Sequence, residues 1–412
     1  MVYSFRSFFF PMDSMKERKM IMKMKKTAAL LLALMTLSVP SSVPAADAEE
    51  VWMYAVSVGK ADAILLGVGE HAVLVDAGYD YSWGRIQAAL KERNVSRLEA
   101  VFLTHLDKDH CGGLMPLAQS AVPVDAWYAS AMNTGLKSKE KHPMIQAAAL
   151  RGQTVSFLQA GDTVPLGGAL LRVLSPLRLF EDKDDNNSLV LMLESAQGKI
   201  LLTGDIEFPA EQALLASGAD LKCDILKVAN HADDDTTSPA FVLAASPRAA
   251  VISTSSVEKP ETPDPRVLRL LEAQNTSVYV TQECTGGILL RLRAGEVSAE
   301  RVNVPEPAAG IALTDVIPGE DLITLENRGD AAADLSGWYL YSARGSEMFF
   351  FPEGTELSPG ETLTVGTKTS KGNSYDLFWD DKKVIHAKKE DSVFLYDACG
   401  SVVSVLSNGL AD

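Results

Sequence analysis

The chain has 412 residues, with 54 acidic and 38 basic side chains and a formal net charge of −16 at pH 7. This negative balance excludes a protein that coats nucleic acid with a basic face, although metals and a local groove could still hold a nucleic-acid substrate. With 47% hydrophobic residues, the chain is long enough for a large core and a second domain.

Residues 1–48 have the order of a short upstream extension followed by a secretory signal peptide. Three lysines precede the apolar run "TAALLLALMTLSV", and small residues follow it. This order predicts cleavage near Ala46 or Ala48 and a secreted or cell-surface protein, with an uncleaved anchor as the alternative. The run is too short to span a bilayer comfortably, so we expect no transmembrane segment after cleavage.

Residues 49–303 alternate short apolar runs with helical stretches, which indicates an α/β domain. The segments "VWMYAVSV", "DAILLG" and "HAVLVDAG" predict strands, and "SWGRIQAALKERN" predicts a helix. Later, "GKILLTGDIE", "DILKVANHA" and "RAAVISTS" each run from an apolar strand into polar residues. Open α/β sheets place their chemistry at such strand ends, and we expect the functional residues there.

The stretch "LTHLDKDHCGG", residues 103–113, follows one of these predicted strands. His105, Asp107, Asp109 and His110 would repel one another or stay unpaired in a tight loop unless a cation gathered them. The Gly-Gly pair allows the backbone to turn into the next helix. The motif predicts a metal site, and a solvated charged loop is the alternative.

Further ligand-type residues recur on both sides of this segment, with Asp76 in "LVDAG" before it and a "DDNNSLVLML" segment, Asp205 in "LLTGDIE" and His231 in "LKVANHADD" after it. In this order the motifs resemble those of the metallo-β-lactamase superfamily. With "VGKADAILL" they are also similar to the hydrolase domain of ComEC-type DNA-uptake competence proteins. The resemblance implies an α/β (α+β) fold, a four-layer αββα metallo-β-lactamase sandwich.

The resemblance also implies a site for one or two divalent metal ions, in which Asp205 bridges the two. The implied metal ligands are His105, Asp107, Asp109, His110, Asp205 and His231. Asp109 and Asp205 are also expected to serve catalysis directly. Lys60 could add a positive charge for the substrate, or it could simply be exposed.

Three residues are expected around the ligands rather than among them. Asp76 is expected to orient a ligand histidine, with an ordinary strand-end aspartate as the alternative. Asn187 and Thr236 are placed in the same outer layer. The hydroxyl of Thr236 and its neighbours could also bind substrate oxygens, or these residues could cap the helix that begins near Ser238.

Three departures from the family pattern affect metal preference and activity. Asp107 replaces a histidine, and "NNSLVL" stands where a further histidine is expected. Oxygen ligands shift the preference from zinc toward manganese or magnesium. The sequence alone does not decide which of Mn, Zn and Mg binds. The aspartates of "NHADDD", which replaces "HHGS", would weaken phosphate binding unless another cation sits nearby, and a solvated loop is the alternative.

Residues 304–310 form a Pro- and Gly-containing linker, and the composition then changes to strand runs separated by turns. The segments "LITLENRGDAAADLSGWYLYS" and "FPEGTELSPGETLTVG" resemble the lamin-tail domain, which implies an all-β immunoglobulin-like sandwich over residues 311–412 with Trp338 in its core. The resemblance implies attachment to a cell-surface or extracellular polymer. We expect a chain ending near Pro305 to remain folded and active, and the alternative is a sandwich that shapes the active-site mouth.

Four cysteines without C-x-x-C spacing exclude a zinc knuckle. Their even number permits a disulfide, for example Cys223 with Cys284, and buried free thiols are the alternative.

Together these patterns predict an exported metal-dependent hydrolase, a phosphodiesterase or nuclease acting on DNA or related phosphoesters. The alternatives are a surface-binding protein that has lost activity and a hydrolase of non-nucleic esters or lactones.

Overall fold

The computed structural model describes residues 49–135, 141–181, 183–307 and 309–410. The predicted signal peptide and its cleavage positions lie outside these described residues. Within the described ranges, no helix has both the length and the apolar character needed to cross a bilayer. The four cysteines are free thiols, and Cys223 and Cys284 are buried.

The first domain is built from strands that alternate with helices. Its strands are β1 (Val51–Val56), β2 (Ile64–Val68), β3 (His71–Val75), β4 (Ala100–Leu103), β5 (Trp127–Ser130), β6 (Val155–Leu158), β7 (Thr163–Leu166), β8 (Ala169–Ser175), β9 (Val190–Ser195), β10 (Gly198–Leu202), β11 (Ile225–Lys227), β12 (Ala249–Ile252), β13 (Ser277–Val280), β14 (Gly287–Arg293) and β15 (Glu296–Val302). Its helices are α1 (Trp83–Glu92), α2 (Lys108–Cys111), α3 (Leu114–Gln119), α4 (Pro143–Leu150), α5 (Phe208–Ser217), α6 (Pro239–Ala245) and α7 (Pro265–Ala273).

The strands form two mixed sheets that pack face to face. One sheet has the order β15-β14-β1-β2-β3-β4-β5-β6, and the other has the order β13-β12-β11-β10-β9-β8-β7. Apolar side chains from both sheets, such as Met53 and Leu191, fill the space between them. Apolar residues of α1, α3 and α4 cover the outer face of the first sheet. Helices α5, α6 and α7 cover the second, which confirms the four-layer αββα arrangement.

Strand burial explains why the sequence contains long apolar runs rather than alternating ones. Every residue of β1, β4 and β12 is buried, because each of these strands has the opposite sheet on one side and other packed elements on the other. The residue directly before helix α6 also determines where that helix begins. The side chain of Ser238 accepts a hydrogen bond from the backbone N–H of Phe241 and caps α6, which favours the capping alternative for this segment.

The second domain is an all-β sandwich that begins after the predicted linker. Its strands are β16 (Ile311–Ile317), β17 (Leu322–Asn327), β18 (Ala333–Asp334), β19 (Tyr339–Ser342), β20 (Glu347–Phe350), β21 (Glu356–Leu357), β22 (Thr362–Thr367), β23 (Leu377–Trp379), β24 (Ser392–Tyr396) and β25 (Val402–Ser407).

The sandwich core lies between two four-stranded sheets, β16-β17-β22-β23 and β20-β19-β24-β25, beside a short β18-β21 pair. Trp338 is buried in this core with Leu325, Val365 and Leu395, as the sequence predicts. Both domains belong to one compact unit, Glu49–Asp412.

Candidate metal centre

The predicted ligands come from strand ends that converge where the two sheets meet. The H-x-D-x-D-H segment follows β4, Asp205 follows β10 and His231 follows β11. β10 and β11 are parallel neighbours in one sheet, whereas β4 belongs to the other. The backbone N–H of Leu189 donates to the carbonyl of Thr104 over 3.1 Å and joins the two edges. Residues separated by more than a hundred positions therefore share one site.

Four of the predicted ligands form a tight cluster, which we call site A (Asp109, His110, Asp205 and His231). Their ligand atoms lie within 4.8 Å of one another. Oδ2 of Asp205 is 3.1 Å from Nε2 of His110 and 3.2 Å from Nε2 of His231. Nε2 of His231 also lies 3.5 Å from Oδ2 of Asp109. Both imidazoles are fully buried, and only the Asp109 side chain retains some exposure.

Three buried polar atoms of the predicted ligands have no hydrogen-bond partner among the described residues. They are Nε2 of His231, Nε2 of His105 and Oδ1 of Asp205. An unsatisfied buried polar group costs about 1–3 kcal/mol, so three together indicate a missing binding partner. A divalent cation coordinated by imidazole and carboxylate would satisfy them. The residues present therefore fit the metal that the sequence motif implies.

Hydrogen bonds on the far side of each imidazole aim Nε2 at the cluster. Nδ1 of His110 donates to Oδ2 of Asp76 over 2.8 Å, and Nδ1 of His231 donates to the carbonyl of Ser253 over 2.7 Å. Asp76 also accepts from the backbone N–H and the hydroxyl of Thr104, at 2.8 and 2.7 Å. Both carboxylate oxygens of Asp76 are therefore engaged, which is the arrangement of a residue that orients a ligand histidine.

Charges within site A compensate one another. Burial alone would raise the pKa of Asp205, but His110 and His231 hold it well below its usual range. Burial likewise disfavours imidazolium, yet the carboxylates of Asp205 and Asp76 hold the pKa of His110 well above its ordinary value. Protons on the imidazoles thus balance the carboxylates in the metal-free cluster. A bound cation would replace those protons, since metal ligands must be deprotonated.

A second group, site B (His105, Asp107 and Asp185), adjoins site A. Its ligand atoms also lie within 4.8 Å of one another, and Nε2 of His105 is 3.7 Å from Oδ1 of Asp185. The rings of His105 and His110 are 4.1 Å apart between centroids. Two carboxylates and one imidazole form an oxygen-rich donor set, which favours manganese or magnesium over zinc.

Asp185 was not among the predicted site residues. Burial raises its pKa to about 6, with His105 opposing this rise and Asp205 and Asp107 adding to it. The loop between β8 and β9 carries Asp185, and it is fixed by Asp184, whose Oδ2 accepts a hydrogen bond from the backbone N–H of Leu106 over 2.9 Å. The sequence signal that could have identified Asp185 is the pair of aspartates directly before "NNSLVL".

The side chain of Asn187 forms its hydrogen bonds with the backbone of the segment before Asp185. Its Oδ1 accepts the backbone N–H of Phe180 over 2.9 Å, and its Nδ2 donates to the Phe180 carbonyl over 2.8 Å. Nδ2 also donates to the carbonyl of Lys183 over 3.3 Å. Asn187 therefore shapes the segment that carries Asp185.

Thr236 supports the turn that carries His231. Its hydroxyl donates to the carbonyl of Ala229 over 3.1 Å and is hydrogen bonded to the hydroxyl of Thr237 at 2.8 Å. The turn itself is unusual, because Asn230, His231 and Ala232 all have positive φ, at 41°, 54° and 64°. Such conformations are costly for residues other than glycine and persist only where their surroundings hold them.

Lys60 lies at the edge of site A, with Nζ 3.8 Å from Oδ2 of Asp109. The acidic run after His231 is also paired with lysines. Nζ of Lys259 is 2.5 Å from Oδ2 of Asp233, and Nζ of Lys183 is 3.6 Å from Oδ2 of Asp235. Lysine ammonium groups therefore lie beside two of the three aspartates, Asp233 and Asp235.

Behind the cluster lies a buried ion pair that the sequence analysis did not anticipate. Nζ of Lys227 is 2.7 Å from Oδ2 of Asp62, and both side chains are almost fully buried. Oδ1 of Asp62 lies 3.8 Å from Nδ1 of His231. The backbone N–H of Asp62 donates to the carbonyl of Asp109 over 3.0 Å. The pair thus joins β11 to the H-x-D-x-D-H loop.

Replacing Asp76 with asparagine is expected to weaken divalent-metal binding by about 10–100-fold, the usual effect of losing a residue that orients a ligand. Asparagine cannot accept all three hydrogen bonds that Thr104 and His110 donate, because one of its two terminal atoms is a donor. Isothermal titration of manganese into each protein measures the effect. The control is Asp125→Asn, which alters an exposed carboxylate paired with Arg97. Equal affinities for the wild type and the Asp76→Asn variant would contradict the positioning role.

Comparison with known proteins defines the class of both domains. Residues 56–256 match the profile of the Metallo-beta-lactamase superfamily, and residues 305–409 match that of the Lamin Tail Domain. The chain therefore carries a metallo-beta-lactamase domain followed by a lamin tail domain, as its motifs predict.

Among individual proteins, the chain is 26% identical over 247 residues to ComE operon protein 3 of Bacillus subtilis, covering 55% of this chain and 31% of that protein. It is 25% identical over 281 residues to Competence protein ComA of Neisseria gonorrhoeae, covering 67% of this chain and 37% of that protein. The matches thus span about a third of these relatives. A solved diphosphatase from the PhnP family has 14% identity and a TM-score of 0.37, with 60% of this chain and 98% of that chain covered.

Proposed function

We propose that this protein is an exported, metal-dependent phosphodiesterase whose substrate is DNA. The observation that carries the proposal is the convergence of unpartnered Nε2 of His231 and Oδ1 of Asp205 on Asp109 and His110. The similarity to competence proteins supports a DNA substrate.

A divalent cation held by site A would provide hydroxide near neutral pH and stabilise charge on the attacked phosphate. The chain's own residues prepare the site for this chemistry. Asp76 and the Ser253 carbonyl hold the two imidazoles in one tautomer, with Nε2 facing inward. Lys60, next to Asp109, offers a positive charge to a phosphate oxygen.

A cavity of about 530 Å³ is lined in part by Asn186, the residue after Asp185 of site B, and has room for part of a polymer. Its lining includes Arg178, Phe180 and Lys183 next to Asn186. The Arg178 guanidinium lies over the Phe180 ring, 4.6 Å from its centroid. An aromatic ring and two cations can accommodate bases and phosphates, and Glu181 and Glu207 in the same lining moderate the positive charge.

The proposal includes a place of action outside the cytoplasm and attachment of the lamin tail domain to a cell-surface or extracellular polymer. The signal-like N-terminal sequence and the match to the tail-domain profile support these two parts.

Incubation of the purified protein with single- and double-stranded DNA, in separate manganese, magnesium and zinc buffers, tests the proposal. We expect cleavage with manganese or magnesium, and its loss on adding EDTA. Parallel assays use a lactone and a carboxylic ester. Hydrolysis of these compounds alone would replace DNA with a non-nucleic substrate. Inactivity of a metal-loaded protein on every substrate would favour a surface-binding protein instead.

A further inference from the structure

A column of five tyrosines runs from the metal site into the tail domain. Tyr79 stacks on Tyr81, with ring centroids 5.2 Å apart and an interplanar angle of 13°. Tyr81 contacts Tyr341 edge-on at 5.5 Å and stacks on Tyr396 at 6.4 Å. Tyr396 stacks on Tyr339 at 4.8 Å. The first two rings belong to the hydrolase domain and the other three to the tail domain, so the column crosses the domain boundary.

The two backbones also meet closely at this boundary. A Cβ on Gly400, in the turn between β24 and β25, would lie 2.5 Å from the backbone nitrogen of Arg85. A Cβ on Gly84, in α1, would lie 2.7 Å from Cα of Gly400. The hydroxyl of Tyr339, which is fully buried, donates to the carbonyl of Tyr81 over 2.7 Å. Glycine is therefore required on both sides, which indicates a fixed contact.

The hydrolase side of this contact is the tyrosine loop (residues 76–82), which begins at Asp76 beside the metal site. Its first residue accepts from Nδ1 of His110. The backbone N–H of Ala77 donates to the His110 carbonyl over 2.7 Å, and that of Gly78 donates to the Asp62 carbonyl over 2.7 Å. One end of the loop thus holds a metal ligand, and the other end lies against the tail domain.

A third contact strengthens the connection from His110 through the tyrosine loop to the tail domain. Gly112, two residues after His110, packs so closely on Asp80 of the tyrosine loop that a Cβ would clash with its backbone nitrogen. An interdomain cavity of about 360 Å³ is lined by Asp80 and Gly112 on one side and by Met348 and Asp381 of the tail domain on the other. The H-x-D-x-D-H segment, the tyrosine loop and the tail domain are therefore consecutive layers.

We propose that the tail domain is a positioning element of the metal site: by packing on the tyrosine loop it holds Asp76 where it fixes the orientation of His110. The proposal rests on the proposed function, because it assumes that site A binds a divalent metal. It favours the second alternative of the sequence analysis, in which the sandwich shapes the site. A chain ending near Pro305 would expose Tyr81 and release the loop.

The test compares two full-length variants, each of which adds a methyl group to a turn glycine with positive φ. Gly400 and Gly360 both lie in turns of the tail domain, with φ of 71° and 74°. A Cβ on Gly400 would meet α1, whereas a Cβ on Gly360 would meet nothing within 4 Å. Gly400→Ala and Gly360→Ala therefore share the local backbone strain and differ in the interdomain clash.

Two measurements are made on each variant: hydrogen exchange of the tyrosine loop in the metal-free protein, and manganese affinity by titration. We expect Gly400→Ala to accelerate exchange in residues 76–82 and to weaken manganese binding by about tenfold, as loss of outer support does at other metal sites. Gly360→Ala should match the wild type in both measurements.

Tyr339→Phe covers the case in which Gly400→Ala fails to fold. It removes only the hydroxyl that donates to Tyr81, and we expect faster loop exchange and a measurable loss of manganese affinity. Wild-type exchange and affinity in the folded variants would overturn the proposal. If the wild-type protein bound no metal at all, the proposed function would fail instead, while the exchange data would still report whether the tail domain orders the loop.

Discussion

Asp205→Asn is expected to reduce DNA hydrolysis by at least about a thousandfold while the protein remains folded, because the residue supplies a central carboxylate of the metal cluster. Its Oδ2 lies within 3.2 Å of two imidazole nitrogens, and its Oδ1 has no partner among the described residues. Asparagine has the same shape but lacks the negative charge that a cation requires. Packing around the residue should therefore survive the change, whereas metal binding should not.

The control for this prediction is Asp220→Asn, which neutralises an exposed aspartate paired with Lys199. Both variants are assayed for cleavage with manganese, and circular dichroism establishes that each is folded. We expect the control to retain wild-type turnover. If the Asp205→Asn variant retained wild-type turnover, the assignment of Asp205 to the metal site would be wrong.

Lys227→Met is expected to destabilise the protein by about 3–5 kcal/mol, because it leaves the Asp62 carboxylate buried without its partner. Methionine nearly matches the volume of lysine, so the change tests charge rather than packing. The lost ammonium is 2.7 Å from Oδ2 of Asp62 and also donates to the Val228 carbonyl over 3.0 Å. Urea unfolding of the full-length chain measures the free-energy difference.

Two companion variants make the stability test specific. Asp62→Asn combined with Lys227→Met removes both charges and should recover part of the lost stability, since the penalty arises from one uncompensated ion. Lys199→Met removes a lysine of a partly exposed ion pair and should cost about 1 kcal/mol or less. A loss in Lys227→Met no greater than that in Lys199→Met would contradict the account of the buried pair.

The sequence predicted the fold, and it predicted which strand ends bring the candidate ligands together, because both depend on local patterns. Apolar runs that end in His105, Asp205 or His231 identify the strands and also place these candidate ligands at their ends. The order of the two domains could also be predicted, since the linker separates a region of alternating strands and helices from a region of strands alone.

The residues that the sequence analysis missed depend on tertiary contacts instead. Asp185 becomes a candidate ligand because the connection between β8 and β9 carries it to His105 on the other sheet's strand end. In the sequence, Lys227 is simply a polar residue at the end of an apolar strand. It pairs with Asp62 only because β11 packs against the segment before β2 in the folded protein. The tyrosine column joins residues more than 250 positions apart, for example Tyr81 and Tyr339, so no local periodicity indicates it.

Elemental analysis of the purified protein tests the metal centre most directly. The protein is first stripped with EDTA, then dialysed against manganese or zinc and passed through a desalting column, and His231→Ala is treated in parallel. We expect at least one divalent ion per wild-type chain and a clear reduction in the variant, whose missing imidazole belongs to site A. A wild-type protein that holds no stoichiometric metal after both treatments would contradict a metal centre at site A.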